Sequence, residues 1–63
     1  MSNFIKIPEY LTEAEVAKML KLSPFTLARL RKNGEGPDYV KVGGTIRYIK
    51  ETVHEWVKSQ ERN

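Results

Sequence analysis

Two helix-start signals with almost no chain between them constrain this sequence more than any other feature. Thr12-Glu13-Ala14-Glu15 has the form of a capping box: the threonine hydroxyl accepts from a first-turn amide and Glu15 reaches back to the cap. Leu11 before the cap and Val16 after it are placed to form a hydrophobic staple. Val16, Ala17 and Leu20 mark one face of a helix running from Glu13 to Met19 or Leu20. Ser23-Pro24 is the second signal, because serine is a favoured N-cap and proline suits the first helical position, where its missing amide hydrogen is not needed. Only Lys21-Leu22 is left as a connection. Leu27 and Leu30 supply the inward face of the second helix, Leu22 closes the corner, and Asn33-Gly34 ends the helix with a left-handed glycine cap. Two short amphipathic helices joined this tightly predict a helix-turn-helix.

Beyond it, Glu35-Gly36-Pro37-Asp38 is a turn cluster, and Tyr39–Val42 and Thr45–Ile49 alternate around Gly43-Gly44 as a hairpin does. Register stays open, since Val40, Val42, Ile46 and Tyr48 cannot all share one face. A last helix spans Glu51 to Ser59 on the spacing of Val53, Trp56 and Val57; no Ser, Thr, Asp or Asn precedes it, so its cap is weak. Arg62-Asn63 is expected to fray. None of these elements is long enough to stand alone. Packed around Val16, Leu20, Leu27, Leu30, Ile46, Val53 and Trp56 they give a mainly α fold with a small β-hairpin, a miniature winged helix-turn-helix. The expectation is one domain over residues 1–63, with an ordered core over about 10–59.

A chain of 63 residues has little core to draw on; at this size only ~60% of the unfolded surface is buried. With no cysteine there is no disulfide and no thiolate site for zinc, and no metal or cofactor is expected. No secretory leader or membrane span is visible, and the run Phe4-Ile5-Lys6-Ile7-Pro8 is too short and mixed for either, so the sequence reads as cytoplasmic and not membrane-bound. Charge is unevenly distributed. Residues 1–17 carry a balance of −2, residues 18–50 carry eight bases against Glu35 and Asp38 for a balance of +6, and residues 51–63 return to −1. A basic centre between acidic flanks points to a polyanion-binding face.

The second helix, Ser23 to Lys32, is the strongest functional constellation. In a helix-turn-helix the second helix enters the major groove and its N-terminal residues meet base edges. Ser23 and Pro24 stand at that end, with Ser23 a phosphate donor; carbons of Phe25 and Thr26 are suited to a thymine methyl, and Ala28 allows close approach. Arg29 has the fork geometry for guanine O6 and N7, Lys32 suits a phosphate, and Arg31 reads equally to either side of the helix. Phe25 also reads as a core residue in a chain with few aromatics, and the cations as a solvated face near the helix C-terminus. In the hairpin, Lys41 and Arg47 bracket the tip, and Gly44 and Thr45 offer a slim end whose backbone amides meet phosphate; the same glycines also read as simple turn residues. The DNA reading requires the positive charge of residues 23–47 to converge on one surface, and Arg29 and Arg47 on opposite sides would end it. Catalysis has little to work with. His54 is alone, Thr52 and Ser59 lack a base, Glu51, Glu55 and Glu61 sit on a solvated face, and no glycine lies at a strand-to-helix transition, so an enzyme is not expected.

The run Tyr10 to Ser23, the Thr26-Leu27 and Arg29-Leu30 pairs, Gly34, Val42-Gly43-Gly44, Arg47-Tyr48 and Trp56 together resemble the excisionase and AlpA-like group of small DNA-binding proteins, relatives of the MerR-type winged-helix domain. The resemblance covers about residues 10–57 and departs from the commoner pattern at Pro24 and Phe25. It implies a recombination directionality factor of a prophage or other mobile genetic element, which binds and bends DNA beside an attachment site and assists a tyrosine integrase in excision. The alternative it implies is an AlpA-like transcriptional regulator of an integrase gene. The implied partners are double-stranded DNA, a tyrosine integrase and further copies of the chain arranged cooperatively along DNA. By position the major-groove role falls on Ser23, Phe25, Thr26, Ala28, Arg29 and Lys32, and the wing role on Gly44, Thr45 and Arg47.

Overall fold

A computed structural model describes residues 8–61. The fraying expected at Arg62-Asn63 and the reading of residues 1–7 lie outside the described residues. The chain runs β1 (Tyr10–Leu11), α1 (Glu13–Leu20), α2 (Pro24–Lys32), β2 (Tyr39–Val42), β3 (Thr45–Ile49) and α3 (Lys50–Gln60). This is the winged helix-turn-helix anticipated from the sequence, with one added strand, β1.

Local hydrogen bonds set the helix limits. The α1 capping box is complete: Glu15 N–H donates to Thr12 Oγ1 at 3.0 Å and Thr12 N–H to Glu15 Oε1 at 2.8 Å. At the other end Leu22 N–H reaches the Ala17 carbonyl (2.8 Å) and Lys21 N–H the Lys18 carbonyl (3.1 Å), the paired bonds of a Schellman motif. That motif needs a left-handed residue, and here it is Lys21, with φ 60°. α2 closes in the same way, with Glu35 N–H on the Leu30 carbonyl (2.8 Å) and Gly34 N–H on the Arg31 carbonyl (3.1 Å), and Gly34 at φ 73°. The two helices thus stop by one device, once with lysine and once with glycine.

The wing turns at Gly43-Gly44, both at positive φ (60° and 80°), as a two-residue hairpin loop with the favoured twist requires. Pairing of Tyr39 with Tyr48, Val40 with Arg47, Lys41 with Ile46 and Val42 with Thr45 fixes the register that the sequence left open. Directly opposed residues share a face. Tyr48 and Ile46 therefore turn inward with Tyr39 and Lys41, while Val40, Val42, Thr45 and Arg47 lie on the side away from the helices. β1 pairs with β3 on its other edge, Tyr10 with Ile49 and Leu11 with Tyr48, giving the order β1-β3-β2. The Lys50 amide continues that ladder by donating to the Glu9 carbonyl at 3.0 Å, so the first amide of α3 has a backbone partner although the cap position, Ile49, offers no side-chain bond.

Val16, Ala17, Leu27, Tyr48 and Val53 are buried at the centre, with Leu11, Leu20 and Ile46 packed against them. Each large apolar side chain so enclosed contributes about 1.5–3 kcal/mol. This corrects the expected core in two places. Tyr48 and Ala17 are central, whereas Leu30 and Trp56 are half-buried. Trp56 acts at the rim, its Nε1–H donating to the Glu35 carbonyl at 3.0 Å and tying α3 to the turn that follows α2.

Candidate nucleic-acid interface

α2 presents two chemically distinct sides because its residues repeat every 3.6 positions. Inward, Leu27 is fully buried. Outward, Phe25, Ala28, Arg29, Lys32 and Asn33 line a shallow surface depression of about 250 Å³. Phe25 is 77% exposed, which removes its reading as a core residue. Arg29 is exposed and makes no side-chain hydrogen bond or ion pair among the described residues. Lys32 is exposed on the same side.

Arg31, which the sequence left free to face either way, turns inward. Its Nε donates to Glu13 Oε2 at 2.7 Å and its Nη2 to Glu13 Oε1 at 3.3 Å, a forked pair with side-chain exposures of 17% and 23%. Tyr48 Oη donates to the same Glu13 Oε2 at 2.8 Å. The Arg31 guanidinium also lies 5.8 Å from the centre of the Tyr39 ring, which meets the Tyr48 ring edge-on at 6.2 Å. One carboxylate from α1 thus joins α2 to the wing. The Arg31 hydrogen bond holds the Glu13 carboxyl below its ordinary value, against the opposing effect of burial. The Glu13 hydrogen bond raises Arg31, and burial followed by the Glu13 bond pushes the Tyr48 phenol well up.

At the start of α2 two backbone amides are engaged and that of Phe25 is not. Pro24 has no amide hydrogen, Thr26 N–H donates to Ser23 Oγ (3.0 Å), and Leu27 N–H donates to the Ser23 carbonyl (3.1 Å). Ser23 Oγ in turn donates to Thr26 Oγ1 at 2.9 Å, so the hydroxyl expected at a phosphate is engaged in capping the helix. Thr26 itself is half-buried, and Pro24 is exposed.

On the wing, Lys41, Gly44 and Thr45 are exposed near the tip. Lys41 and Arg47, read from the sequence as a bracketing pair, stand on opposite faces of the hairpin, because each pairs with a different β-position (Ile46 and Val40). Arg47 is half-buried, with Nη1 donating to the Ile46 carbonyl at 2.7 Å. The fold therefore brings Phe25, Ala28, Arg29 and Lys32 together on one helix face, sets Lys41, Gly44 and Thr45 at the wing, and takes Arg31 away from both. Asn33 lines the α2 depression but reads from the sequence only as a helix end. Its signal was the stripe Phe25, Arg29, Asn33, four residues apart throughout, extended by one more turn.

Among the described residues there is no group of three or more side chains suited to hold a metal ion, and no helix is long and apolar enough to cross a membrane. A family model described as a helix-turn-helix domain matches residues 10–61. No curated protein matches the chain.

Proposed function

This chain belongs to the helix-turn-helix domain family, and on that footing we propose that it binds duplex DNA with α2 in the major groove and the β2–β3 wing against the neighbouring backbone or minor groove. Family membership supports sequence-specific DNA binding; the observation that carries the assignment of surface is the division of α2. Its outward stripe holds an exposed aromatic with Arg29 and Lys32, while the inward cation, Arg31, is fixed to Glu13. Arg29 is the base reader, Lys32 a phosphate contact, and Lys41, Gly44 and Thr45 the leading wing contacts. Arg47, on the opposite face of the hairpin from Lys41 and bonded to the Ile46 carbonyl, stays outside this set of contacts. Arg31 supports the interface by holding α2 and the wing in place.

Within that reading the chain acts as a recombination directionality factor, binding and bending DNA at an attachment site for a tyrosine integrase. A module of this kind buries only ~600–1,000 Å² of protein surface, which favours several copies on tandem sites over one copy acting alone. Regulation of an integrase gene uses the same surface and is the alternative. Gel shifts on an attachment region test the first reading: a ladder of bound species with bent DNA supports it, and a single unbent complex at a promoter supports the second. A salt titration tests the DNA reading itself. Affinity for duplex is expected to fall steeply between about 50 and 200 mM salt, and a flat response would point to an apolar protein partner instead.

A further inference from the structure

The N-terminal turn of α2 presents a large carbon surface with few free hydrogen-bond donors beside it. Pro24 lacks an amide hydrogen, the Thr26 and Leu27 amides are taken by Ser23, and the Ser23 hydroxyl is taken by Thr26. The Phe25 amide keeps its hydrogen free, and the most exposed side chain of the turn is the Phe25 ring, 77% exposed, beside Ala28 and Arg29 along one depression. Among the base-edge groups of the major groove, the C5-methyl of thymine is the apolar one. A hydrogen-bonding edge placed against this carbon surface would lose its water without replacement, which is costly. A methyl group placed there loses nothing.

We propose that the Phe25–Ala28 end of this depression is a binding site for the C5-methyl group of a thymine, which makes the chain a reader of pyrimidine methylation at one position of its target. The proposal rests on the DNA-binding reading above and specifies the chemistry of its first contact. Along α2 the rise from Phe25 to Arg29 is about 6 Å at 1.5 Å per residue, close to two base-pair steps at ~3.4 Å each. Arg29 therefore addresses a base pair within two steps of the thymine.

The test begins with selection of bound sequences from a random duplex pool, followed by replacement of each thymine in the enriched site, one at a time, by deoxyuridine. This removes only the methyl. At one position the wild-type chain is expected to lose about fourfold in affinity, the worth of one buried methyl-sized group. Phe25→Ala is expected to bind the thymine and uracil duplexes equally, and Phe25→Leu, which keeps an apolar surface, to retain part of the preference. Replacing that thymine by cytosine should weaken wild-type binding, and 5-methylcytosine should recover part of the loss. Because Phe25 is exposed, the thermal midpoints of both variants should match the wild type. Indifference of the wild type to uracil at every thymine, or an undiminished uracil penalty in Phe25→Ala, overturns the proposal while leaving DNA binding in place. A pool that yields no enriched sequence overturns both.

Discussion

On its inner side α2 holds Leu27, fully enclosed, and Arg31, bound through both ends of its fork to Glu13. On its outer side the same helix holds Phe25, Arg29 and Lys32 facing solvent. Arg29 and Arg31 are chemically identical and two positions apart, yet one faces solvent and the other holds the molecule together. The difference lies in what stands opposite. Arg31 meets a carboxylate from α1 and a ring from β2, and Arg29 lies exposed with no side-chain partner among the described residues.

Substitutions on the inner side of α2 carry the largest effects. Leu27→Ala should cost about 3 kcal/mol of stability by emptying a fully packed site, a large part of what so small a domain possesses, and a denaturant titration would show it. Arg31→Ala should cost about 2 kcal/mol, because Glu13 then keeps only the Tyr48 hydroxyl. Arg29→Ala should leave the unfolding midpoint unchanged and weaken DNA binding by about tenfold, from the loss of one forked contact worth ~1–3 kcal/mol. If Arg31→Ala left stability untouched, or Arg29→Ala reduced it as much, the two sides of α2 would not be distinct in the way described.

pH sharpens the same contrast. Glu13 is held below its ordinary value in the fold, chiefly by Arg31, so its contribution is fully present above the unfolded carboxyl range (about pH 4.3 for Glu) and is lost as pH falls through the lowered folded value. Tyr48 is raised by burial and by Glu13, so its contribution is present below the unfolded phenol value of about 10 and is lost as pH rises beyond it. Thermal midpoints should decline at both extremes. Tyr48→Phe should remove the alkaline decline due to this phenol, and Arg31→Ala should flatten the acid one.

The smallest effect belongs to the helix ends. Lys21 adopts the left-handed conformation that Gly34 adopts in the matching motif. Lys21→Gly relieves about 1 kcal/mol of backbone strain and gives back part of it through the freer unfolded chain, for a net gain of about 0.5 kcal/mol. A midpoint raised by about 2–4 °C is the expected reading.

Much of the fold was legible in the residues themselves. Thr12, Glu15, Ser23, Pro24, Gly34 and the Gly43-Gly44 pair mark their structural positions because capping and tight turns are settled by bonds among residues a few positions apart. Phe25, Arg29 and Lys32 could likewise be placed along one helix, since period and cap together fix where a side chain emerges. Other features were not legible. Tyr10-Leu11 is too short to announce a strand and becomes one only when β3 supplies its partner. Tyr48 could be assigned to the core only once the register with Tyr39 was fixed.

Local sequence signals set where α1 and α2 begin, where α2 ends, where the wing turns, and which stretch of chain carries the positive charge. Tertiary packing decided whether the charge of Arg31 stays available, by turning it onto Glu13. The physical reason is distance along the chain. A cap or a turn closes between near neighbours, whereas the Arg31–Glu13 and Tyr48–Glu13 bonds join residues 18 and 35 positions apart, which come within reach only after the core has packed.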